Sequence, residues 1–470
     1  VTRSGNLSRF LLYLPLLVLI GTVLAVYSEG YLALSLTFAA LTLLSVVIPE
    51  LMLYVLLLST PFSFRYILPF HAEMQIPSEP LVGILAVVFA MRWLMRLMRS
   101  EVDEIRPFPL RYPLLLLVFA TFISILNSPD LYVSAKGAIR ATAYMMLSFV
   151  VYDLVRNDGH LKALFLSAIP SAVMAVIWTS IVLIKHIDLW QWRIAYQGSP
   201  FTNYSVYGTF LSVFLLLTLS RLLFDTGDYD RVGWGIIFAV FAGGMCLCFS
   251  RGAWLSVMIA VGALMLYRSE GSVPRKFLLI LGGIMLVGVA ISAPGVSSAL
   301  LQRLTTFTDI RFASNKARLL RWGAALMMFL RHPIIGNGYG GFALLYKGDP
   351  SLMGPLAKYR MGAHSEYLQI LSEMGILGFG AWIWLIVEFY RYGLRKLRSA
   401  HDRRYTWLFL GIMAAEGTIL IHFLVNNLIA ADKVAVPFWG LYGLLPAVGG
   451  MADRVNDGCA EKSTPICRSG

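Results

Sequence analysis

His364 is the residue of this chain best placed for proton chemistry. It closes a long polar stretch, and an apolar run begins two residues later at Glu366. An imidazole titrates near neutral pH, so at a boundary between water and membrane it can take a proton from a hydroxyl held there. Ser365 suits the N-cap of the helix that follows. If helical geometry reaches back to His364, Gly375 falls about 20° from the same face, at 100° per residue. Leu368, Leu371 and Gly378 join that stripe, and Glu373 falls opposite. The two glycines read as a motif for close helix packing. The plainer alternative is an inert loop histidine.

The second set of chemical groups is cationic. Residues 293–364 carry Arg303, Arg311, Lys316, Arg318, Arg321, Arg331, Lys347, Lys358 and Arg360 against Asp309 and Asp349, a net charge of +7. Such a concentration predicts an anionic ligand, most naturally phosphate. The bland reading is that a long loop tolerates the charge. Lys316–Arg331 reads as an amphipathic helix, with Arg318 and Arg321 three apart on one face. His332-Pro333 ends it. Gly336-Asn337-Gly338-Tyr339-Gly340-Gly341 follows as a tight loop whose backbone N–H groups could approach an anion or a sugar.

The elements that position these groups are membrane helices. Of the 470 residues, 58% are hydrophobic and 14% charged, and the mean hydropathy is +0.71. Soluble proteins carry roughly 25% charged residues, and apolar runs of span length recur here from end to end. The predicted fold is an all-α polytopic membrane protein with about 12–14 spans and one long periplasmic loop containing amphipathic helices. Predicted spans include 31–48, 81–98, 137–155, 366–390, 405–430 and 434–449, after a first, uncleaved helix near 10–27. The expected organisation is an N-terminal transmembrane bundle over 1–292, the periplasmic loop over 293–364, C-terminal helices over 365–450 and a cytoplasmic tail over 451–470. Orientation rests on two basic loops, one from Arg92 to Arg111 and one from Arg391 to Arg404. Both fall on the side of the N-terminus, predicting cytoplasmic termini and a periplasmic His364.

Other features carry less. Cys246 and Cys248 lie in an apolar run, and Cys459 and Cys467 in the tail, with no disulfide framework or metal-ligand spacing. Asp228-Tyr229-Asp230 reads as a solvated cytoplasmic turn rather than a cation site. Glu416 sits mid-span with His422, Asn426 and Asn427 beyond it. Buried membrane carboxylates are functional suspects, the alternative here being an interhelix hydrogen bond that fixes packing.

With these residues in view, the chain resembles the O-antigen ligases and the related O-antigen polymerases and pilin O-oligosaccharyltransferases. Their pattern of His, then Asn, Ser or Gln, nine residues, Gly, two residues and Gly, Thr or Tyr is met by His364-Ser365, Gly375 and Gly378. Arg318 to Gly340 resembles the family's loop block. Ser250-Arg251-Gly252-Ala253 resembles its arginine between two spans, and Arg193 to Asn203 another periplasmic stretch. The resemblance covers about residues 190–380 and separates ligase from polymerase poorly.

The resemblance implies a GT-C-type glycosyltransferase at the bacterial inner membrane. Its donor would be a glycan on undecaprenyl diphosphate, and for a ligase its acceptor would be a sugar of the lipid A core. His364 is then the general base, with Arg251 and Arg321 as catalytic partners. Arg318, Arg140, Lys136, Arg193 and Arg311 are candidates for the donor diphosphate, and Gly338, Tyr339 and Gly340 for the substrate loop. Arginines stabilise a developing diphosphate charge without a proton, so no metal or other cofactor is expected. Trp190, Trp192, Tyr196, Phe201 and Tyr339 are candidates to stack on sugars. A polymerase or pilin-directed transferase is the alternative within the superfamily. A lipid-linked glycan transporter is the alternative from another class.

Overall fold

The computed structural model describes residues 31–67, 73–99, 106–185, 196, 198–201, 203–225, 230–248, 250–268, 313–348, 362–400 and 403–462. The predicted first span near 10–27 lies outside these residues, as does the apolar run 276–293. The described chain is almost entirely helical: α1 Tyr31–Val47, α2 Pro49–Ser59, α3 Ser78–Met98, α4 Arg111–Ile123, α5 Leu131–Leu154, α6 Asp158–Lys185, α7 Tyr204–Phe224, α8 Arg231–Leu247, α9 Arg251–Arg268, α10 Ala313–Arg331, α11 Phe342–Gly348, α12 Glu366–Ser399, α13 Arg403–Phe423 and α14 Asp432–Lys462. Six of them are long and apolar enough to cross a membrane, and five shorter apolar helices accompany them. This is the all-α polytopic membrane protein that composition requires.

Helices α7 and α13 pack along each other, as do α5 and α14, while α12 lies against α4, α10 and α13. Aromatic side chains fill the space between α12, α13 and α14. Trp382 stacks on Phe438 at 5.5 Å, Phe438 meets Trp439 edge-on at 4.9 Å, and Phe389 packs on Tyr442 at 4.6 Å. Such rings each bury large apolar areas, so this triad of helices is a rigid support.

The two ends of the bundle differ chemically. At one end Asp153 pairs with Arg96 at 3.3 Å and Arg156 at 2.8 Å, Asp158 with Arg404 at 3.3 Å, and Lys396 with Asp453 at 2.6 Å. His364 lies at the other end. Helix α12 runs from beside His364 to Ser399 over 34 residues, and its stretch after Gly375 alone is about 36 Å long at 1.5 Å per residue. That exceeds a hydrocarbon core of about 30 Å, so one helix holds His364 and the basic residues from Arg391 to Arg398 at opposite ends.

Four features depart from the sequence reading. Phe64–Ile67 and Glu73–Ile76 form an antiparallel hairpin with Phe64 opposite Ile76, where no strand was expected. Helix α13 stops at Phe423 rather than near 430. Leu424 and Val425 donate to the carbonyls of Ile421 and His422, tightening the last turn, and residues 424–431 then cross the end of the bundle. Helix α14 continues to Lys462, so the expected tail from 451 is partly helix. The fourth departure is a break in α12 at Gly375, which has φ 63° and ψ −163°. Asp230 caps α8 by accepting from Gly233 N–H at 2.9 Å, whereas Asp228 and Tyr229 lie outside the described residues.

Candidate functional site

His364 is held in place by its backbone. Its φ is +56°, and it is the non-glycine residue with positive φ among those described. Few side chains adopt that conformation unless their surroundings over-determine it, and such positions cluster at functional sites. Two hydrogen bonds fix it here. The N–H of His364 donates to Asn427 Oδ1 at 3.2 Å, and the N–H of Ala363 donates to Gln369 Oε1 at 2.7 Å. Ser365 caps α12 as its residue type suggested, accepting from Leu368 N–H.

The imidazole is half-buried, and its Nδ1 has no hydrogen-bond partner among the described residues. Burial and the positive charges of Arg321 and then Arg318 lower its pKa from 6.5 to about 4, against a small upward pull from Asn426. The ring is therefore neutral at pH 7, the state in which it can accept a proton.

Both arginines stand on α10. Ala317, Arg321, Ala324, Ala325 and Met328 are buried on one face, while Leu319, Leu320, Leu326 and Leu330 are exposed. The helix is amphipathic as expected, but the buried alanines pack on Phe342, Tyr346 and Ala363. Arg321 is only 2% exposed. Burial lowers its pKa, opposed by the charge of Tyr346 and a hydrogen bond with it, and a guanidinium still keeps its charge. Arg251 is the first residue of α9 and half-buried. Its neighbour Gly252 abuts His422, since a Cβ there would stand 2.6 Å from that ring's Cδ2. His422 in turn feels the charge of Arg318. Thus α9, α10, the start of α12 and the end of α13 converge, bringing Arg251, Arg318, Arg321 and His364 to one end of the bundle.

The break in α12 is what brings α10 there. The segment after α10 crosses α12 where that helix opens. Ile376 and Leu377 N–H donate to the carbonyls of Pro333 and Ile334, while Asn337 and Gly338 N–H donate to those of Ser372 and Glu373, at 2.8–3.2 Å. Gly336, Gly338, Gly340 and Gly375 all have positive φ. A Cβ on Gly336 would overlap the Glu373 carbonyl, and one on Gly375 would overlap that of Ile334. Gly375 therefore serves a chain crossing rather than a packed helical stripe. Gly378 makes room for Met374 after the break. Glu373 is buried, and its carboxylate accepts from Gly340 N–H at 2.9 Å and Phe342 N–H at 3.1 Å. Gln369 also donates to it at 2.6 Å.

These bonds correct the expectation for the glycine-rich loop. The N–H groups from Gly336 to Phe342 all donate to protein acceptors, including Tyr339 N–H to Ser124 Oγ. They are committed to α12, to Ser124 and to the segment's own carbonyls and do not form an anion cradle. The Tyr339 ring lies against Gly137 and lines a cavity with Arg140, Glu366 and Trp439.

The remaining expectations scatter. Arg140 forms an ion pair with Glu79 and donates to the Ala430 carbonyl at 2.7 Å, so its charge is matched inside the protein. Lys136 is exposed on α5. Arg193, Arg311, Trp190 and Trp192 lie outside the described residues. Tyr196 and Phe201 are buried against Tyr207 and Phe210, and Tyr196 donates to the Cys248 carbonyl at 3.1 Å. They are core residues and offer no face to a sugar. Glu416 is fully buried, with Tyr442 beside it. Among the described residues no three His, Cys, Asp or Glu side chains converge as metal ligands.

Three site residues carried little weight in the sequence reading. His422 is fully buried, with Nδ1 2.6 Å from Thr209 Oγ1 and Nε2 2.9 Å from Asn426 Nδ2. Asn427 holds the His364 backbone. Glu366 accepts from Leu428 and Ile429 N–H, at 3.0 and 3.3 Å, and so fixes the segment after α13. The spacing of His422 and Asn426, four apart at the end of a span, was the available signal.

Residues 236–383 match the family model described as O-antigen ligase. No curated protein matches the chain. The matched segment contains Arg251, Arg318, Arg321, the glycine-rich loop, His364, Gly375 and Gly378, and stops before His422, Asn426 and Asn427.

Proposed function

We propose that this chain, which carries an O-antigen ligase family segment over residues 236–383, is an inverting glycosyltransferase. It moves a glycan from undecaprenyl diphosphate to a sugar hydroxyl of the lipid A core. The observation that supports this most directly is a neutral imidazole at the mouth of α12 under the charges of Arg318 and Arg321. Its assigned place is the bacterial inner membrane, with His364 facing the periplasm and the charged Asp153–Arg156–Asp158 end facing the cytoplasm. The expected division into an N-terminal bundle, periplasmic loop and C-terminal helices belongs to the same reading.

In the proposed step the acceptor oxygen attacks the anomeric carbon opposite the leaving group. The new C–O bond forms as the bond to phosphate breaks, and the configuration inverts. The acceptor's proton passes to His364 and later to water. The lipid diphosphate leaves with the bonding pair. Arg318, Arg321 and Arg251 stabilise that charge in a partly desolvated site, where fixed cations act most strongly.

A base with a pKa near 4 is weak on its own. Diphosphate bound between Arg318 and Arg321 would offset their field and bring His364 back toward its ordinary value. Donor binding thereby strengthens the base that the second substrate needs.

The test is the purified chain in liposomes with undecaprenyl-diphosphate glycan and lipid A–core. Glycan appearing on the core supports ligation. Ladder growth on the lipid carrier without transfer to core would identify a polymerase, and movement of the donor across the bilayer without transfer would identify a transporter.

A further inference from the structure

We propose that Thr209, His422 and Asn426 form a positioning chain that sets the hydrogen-bonding direction at His364. The inference rests on the glycosyl-transfer reading and extends it to residues beyond the segment that matches the family.

Thr209 has one hydroxyl proton. Its Oγ1 donates to the Ser205 carbonyl one turn back on α7, at 2.8 Å. The lone pairs of Oγ1 therefore face His422, and Nδ1 at 2.6 Å must be the donor. That fixes the neutral Nδ1–H tautomer and leaves Nε2 as an acceptor. Asn426 Nδ2, 2.9 Å away, supplies the donor. With its nitrogen committed, the Asn426 amide turns its oxygen to the other side. Asn426 is within side-chain bonding reach of His364, and with Nδ2 turned to His422 its amide oxygen is assigned as the acceptor for an imidazole N–H. One ring nitrogen of His364 is then tied as a donor, and the other keeps its lone pair for the acceptor hydroxyl. Asn427, next in the chain, holds the His364 backbone in its left-handed conformation. Side-chain and backbone control thus come from adjacent residues on one short segment.

The arrangement follows the logic of a base oriented by a third group. Thr209 is 1% exposed and His422 is fully buried, so solvent does not compete for these bonds. The charged groups facing the chain are Arg318 and Arg321 on α10. Glu366, two residues past His364, is engaged by Leu428 and Ile429 N–H.

The experiment compares Thr209→Val with Thr209→Ser in the full-length purified protein, using lipid-linked glycan and lipid A–core. Val fills the same space but cannot accept from Nδ1. Thr209→Val is expected to lower kcat about tenfold, the scale of one lost buried hydrogen bond, with an unchanged KM for donor. Thr209→Ser is expected to restore kcat. Thermal unfolding in detergent is expected to be alike for the two. Wild-type kcat in Thr209→Val, with His364→Ala inactive, overturns the chain and leaves the transfer reading standing. Equal losses in the Val and Ser variants that track unfolding temperature make these residues packing groups and also overturn it. If the wild type transfers nothing, the transfer reading fails, and a ¹⁵N-histidine spectrum decides the chain by itself. His422 as Nδ1–H supports it, and His422 as Nε2–H overturns it.

Discussion

Gly375 and Ile334 touch backbone to backbone. A Cβ at Gly375 would overlap the Ile334 carbonyl, and the N–H of Leu377 donates to that same carbonyl at 3.2 Å. The crossing ties α10, with its arginines, to the helix that begins beside His364. Gly375→Ala has to overcome both the overlap and a backbone conformation of φ 63°, ψ −163° that is nearly confined to glycine. The expected cost is on the order of 3 kcal/mol, read as a lower unfolding temperature in detergent and loss of transfer. An unaltered melt would show that the crossing does not support the site.

Glu373 acts at the same crossing. Replacing it by Gln puts an amide nitrogen opposite Gly340 or Phe342 N–H, and two donors cannot bond. About 1–3 kcal/mol of stability should be lost. Proteolysis within the glycine-rich loop should rise in Glu373→Gln and stay low in the wild type.

The pH dependence follows from His364. Its pKa is lowered, so it is neutral, and competent as a base, at every pH above about 4. The acid limb of kcat/KM for donor, which reports the free enzyme, should lie near that value. The acid limb of kcat should lie higher, because bound diphosphate offsets the arginines. Coincident limbs would show that donor binding leaves the base unchanged.

Arg321 offers two readouts at once. Arg321→Ala is expected to raise the donor KM by about tenfold to a hundredfold, the range for losing one charge-assisted contact of about 1.5–3 kcal/mol. It should also move the acid limb of kcat/KM upward, since Arg321 is the charge that lowers the His364 pKa most. A changed KM with a fixed acid limb would separate the two residues.

Arginine rather than a metal ion is assigned to the leaving group. Transfer should therefore continue in EDTA at the untreated rate. Loss of activity in EDTA, restored by Mg²⁺ or Mn²⁺, would contradict that assignment.

Much of this was legible in residue types. Apolar runs marked most spans, and Ser365 marked the start of α12 by its capping chemistry. The alternation of buried and exposed positions on α10 followed from its amphipathic pattern. What sequence spacing missed was long-range. Helical spacing set Glu373 opposite His364 but did not show that the glycine-rich segment covers that side, because a glycine in a helical pattern does not reveal a crossing partner 41 residues earlier. The glycine-rich loop looked like an anion cradle until its N–H groups were found spent on Ser124, Ser372 and Glu373. Arg140 looked available until Glu79, 61 positions away in sequence, was found paired with it. His422 and Asn426 were visible as polar residues in a span, but their partners on α7 and near His364 depend on packing.

The most direct measurement pairs donor binding with single-turnover transfer in His364→Ala, using purified protein and lipid-linked glycan. The variant is expected to bind donor with wild-type affinity, because Arg251, Arg318 and Arg321 are intact, while transfer to the core falls to background. Near-normal single-turnover transfer in His364→Ala would contradict the role of His364 as the base.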